Sequence, residues 1–271
     1  MDSTPFISGF GRNNNSIFQM KLKKLLAIGD FHIPYQSPEA TSLFYKFIKD
    51  CQPDWIILLG DFLDCWELSH FRKFPAIDGN DFQNEIERGK EVLAKIVKIC
   101  PESKIVYIEG NHEFRIKSYL MEKAEKLYNL PSLRLEYLLE LHKYPQITFY
   151  ELRNKSKFSH HFVKQGHLWF GHADISRKDA GYTAKALREE IGINVITGHT
   201  HKLAFSPRTY KDGILSGWEA GCMCQLESDY STINNWQQGW LYIEANQDIS
   251  QYTIHPILIQ DNSFIFNGKI Y

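Results

Sequence analysis

One pattern recurs five times along this chain and constrains its fold more than any other feature: a short apolar run, then glycine, then a polar side chain able to bind a metal. The runs are LLAI before Gly29-Asp30, WIILL before Gly60-Asp61, IVYIE before Gly110-Asn111, HLWF before Gly171-His172 and NVIT before Gly198-His199. Each has the length and bounding of a buried strand. Glycine at a strand end lets the backbone turn tightly and approach a ligand. In open α/β sheets the binding crevice lies outside the carboxyl ends of the strands. Five strands that end this way can deliver their polar residues to one rim.

Between these runs, apolar residues at helical spacing predict helices over 38–50, 81–99, 114–128, 132–142 and 179–191. After residue 203 the texture changes to GILSGWEAG, GWLYIEA and SFIFNGKIY, which predict a second, largely antiparallel sheet. The expected architecture is α/β: two mixed β-sheets packed between helices in a four-layer α/β/β/α sandwich, with a small helical insertion. A length of 271 residues suits one such domain. It is expected over residues 21–271, after a flexible polar leader at 1–20, with insertions at about 62–80 and 114–150 forming the substrate rim.

Hydrophobic residues at 43% and charged residues at 23% exclude a disordered or disulfide-framework class. A net charge of -1 provides no global field for a long nucleic-acid track. Five cysteines, an odd number, suit reduced thiols in a cytoplasm. Cys222 and Cys224 are their only close pair; without a second Cys/His pair nearby they are read as alternating strand residues with no function. No apolar run approaches the roughly 18 residues of a membrane span, and no basic stretch precedes an apolar one at the start. A soluble cytoplasmic protein with no membrane partner is expected.

The polar residues at the strand ends are Asp30 and His32 (GDFH), Asp61 and Asp64 (GDFLD), Asn111 and His112 (GNHE), His172 (FGH), and His199 and His201 (GHTH). Carboxylate, amide and imidazole donors together suit borderline divalent metals and are too rich in nitrogen for a calcium cage. They are also too many for one ion, and a carboxylate such as Asp61 can bridge two. The chain contains neither a G-x-x-x-x-G-K-S/T phosphate loop nor a G-x-S-x-G nucleophile elbow. His70, His142, His160, His161, His167 and His255 lack the strand-end context. Trp66, Phe71, Arg72, Lys73 and Phe74 after the second block, and Arg115, Lys117 and Tyr119 after the third, are candidates to line the substrate approach. The basic stretch at 153–164 reads as a solvated face.

In content and order, the five blocks over residues 29–201 resemble those of the calcineurin-like metallophosphoesterase superfamily: D-x-H, GD-x-x-D, GNH-D/E, H and GH-x-H. The resemblance implies that Asp30, His32 and His201 bind one divalent metal, that Asn111, His172 and His199 bind the other, and that Asp61 bridges them. It implies that His112 serves the leaving group and phosphoryl oxygens, oriented by Asp64. Mn is the expected metal, with Fe, Zn, Ni or Co as alternatives, and a metal-bound hydroxide is the expected nucleophile. Protein serine/threonine phosphatases of this superfamily carry Asp-Arg-Gly where this chain has Asp64-Cys65-Trp66, and they lack the paired GH-x-H. The resemblance is therefore to the branch of phosphodiesterases, small-molecule phosphatases and Mre11-like nucleases. Hydrolysis of phosphomono- or phosphodiesters in nucleotides or at nucleic-acid ends is the expected function, with aromatic residues stacking the base. The alternatives are an Mre11-like nuclease on longer DNA and a non-catalytic interaction module of the same fold, such as the retromer subunit. His112 favours catalysis, because a scaffold does not need it. Protein partners are left open by the sequence.

Overall fold

The computed structural model of the chain describes residues 21–70, 81–152, 162–227 and 234–271. The expected leader, Phe71, Arg72, Lys73, Phe74, His160 and His161 lie outside the described residues. The first half alternates strand and helix: β1 (Lys23–Ile28), α1 (Pro38–Cys51), β2 (Trp55–Leu58), α2 (Phe82–Ile99) and β3 (Lys104–Ile108). Both helices begin where side chains cap them. The Ser37 hydroxyl accepts the Ala40 N–H ahead of Pro38, and the Asp81 carboxylate accepts the Asn84 N–H. Then follow α3 (Phe114–Lys123), α4 (Leu135–Leu138), β4 (Ile147–Tyr150), β5 (Phe162–Gln165), β6 (Leu168–His172), α5 (Tyr182–Ile191) and β7 (Asn194–Gly198). The chain continues through β8 (Leu203–Tyr210), β9 (Gly213–Ala220), β10 (Gly239–Ala245) and β11 (Tyr252–Leu258), and a small hairpin of β12 (Ile265–Phe266) and β13 (Lys269–Ile270) follows them.

Two mixed sheets result, ordered β11-β10-β1-β2-β3-β4 and β5-β6-β7-β9-β8. Period-two alternation along the strands builds the layers. Leu25, Ala27, Ile57, Leu59, Val106 and Ile108 of the first sheet meet Leu168, Phe170 and Ile196 of the second. Their neighbours Leu26, Ile28, Ile56 and Leu58 face the other way, onto Phe44 and Phe47 of α1 and Leu93 and Ile96 of α2. On the far side, Val195 of β7 packs with Leu187 of α5. Helices, sheet, sheet, helix is the expected four-layer order. β1, β2 and β3 run parallel, as do β6 and β7.

Three expectations differ from the structure. The strands after residue 203 do not form a sheet of their own: β9 joins β7 in parallel, and β10 joins β1 antiparallel. The reason is burial on both faces of β10, whose Trp240 and Tyr242 pack toward α1 while Leu241 and Ile243 enter the space between the sheets. The helical pattern over 114–142 breaks into α3, α4 and single turns of 3-10 helix at Glu125–Leu127, Pro131–Leu133 and Leu141–Lys143. Pro131, which lacks an N–H to continue a helix, opens one of those turns. Cys222 and Cys224 lie outside the named strands, in isolated bridges to Gln238 and Gln36. Among the described residues no helix is long and apolar enough to cross a membrane.

Candidate metal centre

The polar residues of all five blocks leave the carboxyl ends of β1, β2, β3, β6 and β7 and meet where the two sheets face each other. Their backbones are unusual. Asp30 (φ 55°), His32 (49°), Asp61 (47°), His199 (82°) and His201 (58°) occupy the left-handed region, which is costly for residues with a side chain. Such strain persists only where surrounding bonds over-determine it, and five of the seven candidate ligands carry it. Gly110 shows why glycine stands beside them: a Cβ there would lie 2.2 Å from the Asp61 nitrogen and 2.3 Å from its Oδ1.

Among the described residues four groups of side chains could hold an ion: Asp30 with His32 and His201, Asp61 with His172 and His199, His32 with Asp64 and His112, and His201 with Cys222 and Cys224; the first two contain the expected ligands. In the first, Nε2 of His201 lies 3.0 Å from Nε2 of His32 and 3.4 Å from Oδ1 of Asp30. In the second, Nε2 of His172 lies 2.9 Å from Oδ1 of Asn111 and 3.2 Å from Oδ2 of Asp61. The same Asp61 oxygen is 3.8 Å from Nε2 of His32, so it faces both groups. Its other oxygen accepts the His112 N–H at 2.9 Å. The His199 N–H donates to the Asp30 carboxylate, tying the fifth loop to the first.

These donors fit divalent cations. His32 donates its Nδ1–H to Asp64 Oδ1 at 2.8 Å and His172 donates its own to the Leu59 carbonyl at 2.9 Å, which leaves each Nε2 with a lone pair aimed inward. Lone pairs of imidazole, amide and carboxylate thus converge in a buried space, where cations or protons alone can satisfy them. Nδ1 of His199 is buried with no hydrogen-bond partner. Burial opposes charge on His172 and His201, yet the Asp61 carboxylate pushes His172 up to about 9 and the Asp30 carboxylate pushes His201 up to about 10. Burial also opposes ionisation of Asp30 and Asp61, but neighbouring imidazoles hold both below the ordinary carboxylate range. Burial and then His172 push His199 down to about 4, which keeps its imidazole neutral.

Beside this centre, Nδ1 of His112 lies 3.0 Å from Oδ1 of Asp64 and 2.8 Å from the Asp64 carbonyl, so it donates there. Its Nε2 is 3.9 Å from Oδ2 of Asp61 and accepts from Arg115 at 2.9 Å. Arg115 also donates to the Asp64 carbonyl at 2.8 Å, so it braces the ring from a second direction.

Two supporting residues escape the sequence pattern. The buried Glu113 carboxylate accepts the backbone N–H groups of Asp61, Phe62, Leu63 and Gly110 at 2.6–3.1 Å and the Tyr107 hydroxyl at 3.0 Å. It clamps the GDFLD loop onto the GNHE loop. Glu219 of β9 accepts the Thr200 hydroxyl and the Ala184 N–H, both at 2.9 Å, and so holds the residue between His199 and His201. The glutamate of GNHE was the available signal for the first; nothing local marks the second.

The remaining histidines of the described residues stand apart from this centre. His255 pairs with Glu244, exposed His70 lies 3.8 Å from Glu122, His142 packs on Tyr137, and the His167 N–H donates to the Ile249 carbonyl. Lys117 turns to Glu109 and Glu151, and Tyr119 is exposed on α3.

A four-layer sandwich whose parallel strands end in these five loops has the architecture of a metallophosphoesterase. The calcineurin-like phosphoesterase family model matches residues 23–203, more than half of the chain, and the chain belongs to that family. It is 25% identical over 238 residues to the Gene 54 protein of Mycobacterium phage D29, a match that covers 83% of this chain and 90% of that one. It is 23% identical over 263 residues to the Gene 54 protein of Mycobacterium phage L5, covering 92% and 98%. Among solved structures it is similar to wild-type Vps29 of Entamoeba histolytica complexed with zinc, at a TM-score of 0.45 and 15% identity over 92% of this chain and 97% of that one. Vps29 of Cryptosporidium parvum is matched at a TM-score of 0.44 and 13% identity over 92% and 95%.

Proposed function

We propose that the chain is a dinuclear-metal phosphoesterase that hydrolyses phosphomono- or phosphodiesters. One observation carries the reading: Oδ2 of Asp61 lies 3.2 Å from Nε2 of His172 and 3.8 Å from Nε2 of His32, so a single carboxylate oxygen faces both groups of donors. In this assignment Asp30, His32 and His201 hold one cation, Asn111, His172 and His199 hold the other, and Asp61 is shared. The mixed oxygen and nitrogen set favours Mn, with Fe, Zn, Ni and Co as alternatives. Such a pair of cations supplies Lewis acidity toward phosphoryl oxygens and lowers the pKa of water.

The chain's own contribution is positional. Asp64 holds Nδ1 of His112, which leaves Nε2 as the nitrogen facing the centre; with Arg115 turned away and a second proton on the ring, Nε2–H would stand where a leaving-group oxygen needs a proton. Arg115 presents its guanidinium at the same place and can turn to a phosphoryl oxygen. The substrate class that fits is a nucleotide or a short nucleic-acid end: a net charge of -1 gives no long electrostatic track, and an aromatic side chain, Trp66, of the type that stacks on a base follows two residues beyond Asp64 in sequence.

The test is hydrolysis of bis-p-nitrophenyl phosphate, p-nitrophenyl phosphate and a panel of nucleotides by chelator-stripped protein, before and after addition of Mn. Turnover should need the metal, and undiminished turnover by stripped protein would refute the reading. A salt titration then addresses the substrate. Affinity for long duplex DNA that is tight and falls by orders of magnitude between low and physiological salt would point to a nuclease on internal duplex instead.

A further inference from the structure

The cysteine pair to which the sequence pattern gives no role lies against the proposed centre. Cys222 and Cys224 are buried, and with His201 they form a group whose donor atoms all lie within 4.8 Å of one another. The two sulfurs are hydrogen-bonded to each other, and each also reaches a partner of its own. Cys224 Sγ is 3.6 Å from Nδ1 of His201, whereas Cys222 Sγ is 3.6 Å from the Gln237 carbonyl. The other nitrogen of the His201 ring faces His32 and Asp30.

We propose that Cys224 is a positioning residue of the metal centre, its sulfur accepting the Nδ1–H of His201 so that Nε2 presents its lone pair to the cation. The inference rests on the dinuclear reading above. A neutral imidazole carries one N–H, and the nitrogen that carries it cannot bind a metal. Metal-binding histidines commonly commit that N–H to an outer acceptor, which fixes the tautomer and the ring. His172 does so to the Leu59 carbonyl and His32 to Asp64, both oxygen acceptors. At His201 a sulfur occupies the equivalent place.

The backbone fixes that sulfur independently of its bond to His201. The N–H groups of Met223 and Cys224 both donate to the Asp30 carbonyl, at 3.0 and 3.1 Å. Ser37 N–H donates to the Met223 carbonyl, and the Gln238 side chain donates to the Cys224 carbonyl, each at 2.8 Å. A closed circuit follows: the Asp30 carbonyl holds Cys224, Cys224 holds Nδ1 of His201, and Nε2 of His201 faces the Asp30 carboxylate. Trp236 packs edge-on against the same imidazole, with centroids 4.3 Å apart. Cys222, two positions away in sequence, lies against the Gln237 carbonyl and the Cys224 sulfur, so its removal leaves the acceptor of His201 in place.

The test is a competition titration with Mn or Co against a chelator on wild type, Cys224→Ala, Cys224→Ser, Cys224→Val and Cys222→Ala, with the fold of each metal-free variant checked by circular dichroism. Cys224→Ala should weaken one of the two ions by roughly 10–100-fold, as loss of an outer-shell partner does. Cys224→Ser should lose less, because a hydroxyl still accepts the N–H, and Cys222→Ala, which keeps the acceptor of His201, should also lose less than Cys224→Ala. If Cys224→Ala does not fold, Cys224→Val, which keeps most of the volume and removes the acceptor, carries the same comparison. Two ions held equally well by wild type and by the Ala and Val variants would overturn the inference on Cys224 alone. A sulfur-to-metal charge-transfer band in Co-loaded wild type that vanishes in Cys224→Ala would overturn it by making Cys224 a direct ligand. Wild type that binds no metal would overturn both this inference and the dinuclear reading.

Discussion

Oδ1 of Asp64 lies 3.0 Å from Nδ1 of His112. The same oxygen is 2.8 Å from Nδ1 of His32, so one carboxylate orients both a proposed metal ligand and the proposed proton donor. Their removal should therefore separate. His112→Ala should keep both metals and the fold while losing roughly 10² to 10⁴ in kcat, the usual worth of a positioned acid or base. Asp64→Ala should lose rate and also weaken metal binding, because it frees the His32 ring. Measuring kcat alongside metal content for both variants checks this, and loss of metal from His112→Ala would show that His112 is itself a ligand.

Asp61 and Asp30 are both buried carboxylates at the rim, but only Asp61 has an oxygen directed to both groups of donors. Asp61→Asn should reduce occupancy of both ions, whereas Asp30→Asn should mainly reduce one. Metal stoichiometry of the purified variants decides it; equal losses count against a shared carboxylate.

Glu113 tests how the loops are held. Its Oε1 accepts from Phe62, Leu63 and Tyr107 and its Oε2 from Asp61 and Gly110, so every partner is a donor. Glu113→Ala strands four buried N–H groups, at about 1–3 kcal/mol for each one left unpaired. Glu113→Gln points an amide N–H₂ at two of those donors and is expected to cost at least about 2 kcal/mol as well. Urea unfolding of both variants measures the cost, and a glutamine variant as stable as wild type would contradict the clamp.

The contrast between Asp61 and Glu113 shows what the sequence makes legible. Asp61 announces itself locally, because an apolar run and Gly60 precede it, and the same signal marks the ends of β1, β2, β3, β6 and β7. Glu113 acts on Phe62, 51 residues earlier, and Glu219 reaches Thr200 from another strand. No local periodicity records such contacts. The same limit explains β9 and β10: alternation shows that a segment is a strand, but its partner depends on which buried faces match across the fold. The contact between Cys224 and His201 is of this kind too: it joins side chains 23 residues apart, and Cys224 lies in an isolated bridge to Gln36 and not in a named strand.

Glu85 on α2 predicts a pH dependence away from the candidate ligands. It is 4% exposed, and its Oε1 accepts the Cys65 N–H at 2.7 Å. Burial, with Asp64 adding repulsion, pushes its pKa up to about 8, above the 4.5 of an ordinary glutamate. The folded protein therefore holds this proton where the unfolded chain has released it. Stability from this group is intact below pH 4.5 and is lost as pH rises toward 8. The fall amounts to a few kcal/mol, because each tenfold difference in proton affinity between the folded and unfolded chain is worth about 1.4 kcal/mol. Glu85→Gln keeps an oxygen for the Cys65 N–H and has no charge to bury. Relative to wild type it should gain stability progressively from pH 5 to pH 8, within the window set by 4.5 and about 8. Urea unfolding at several pH values reads this directly, and a Glu85→Gln difference that stays constant across the window would show that Glu85 ionises normally in the folded protein.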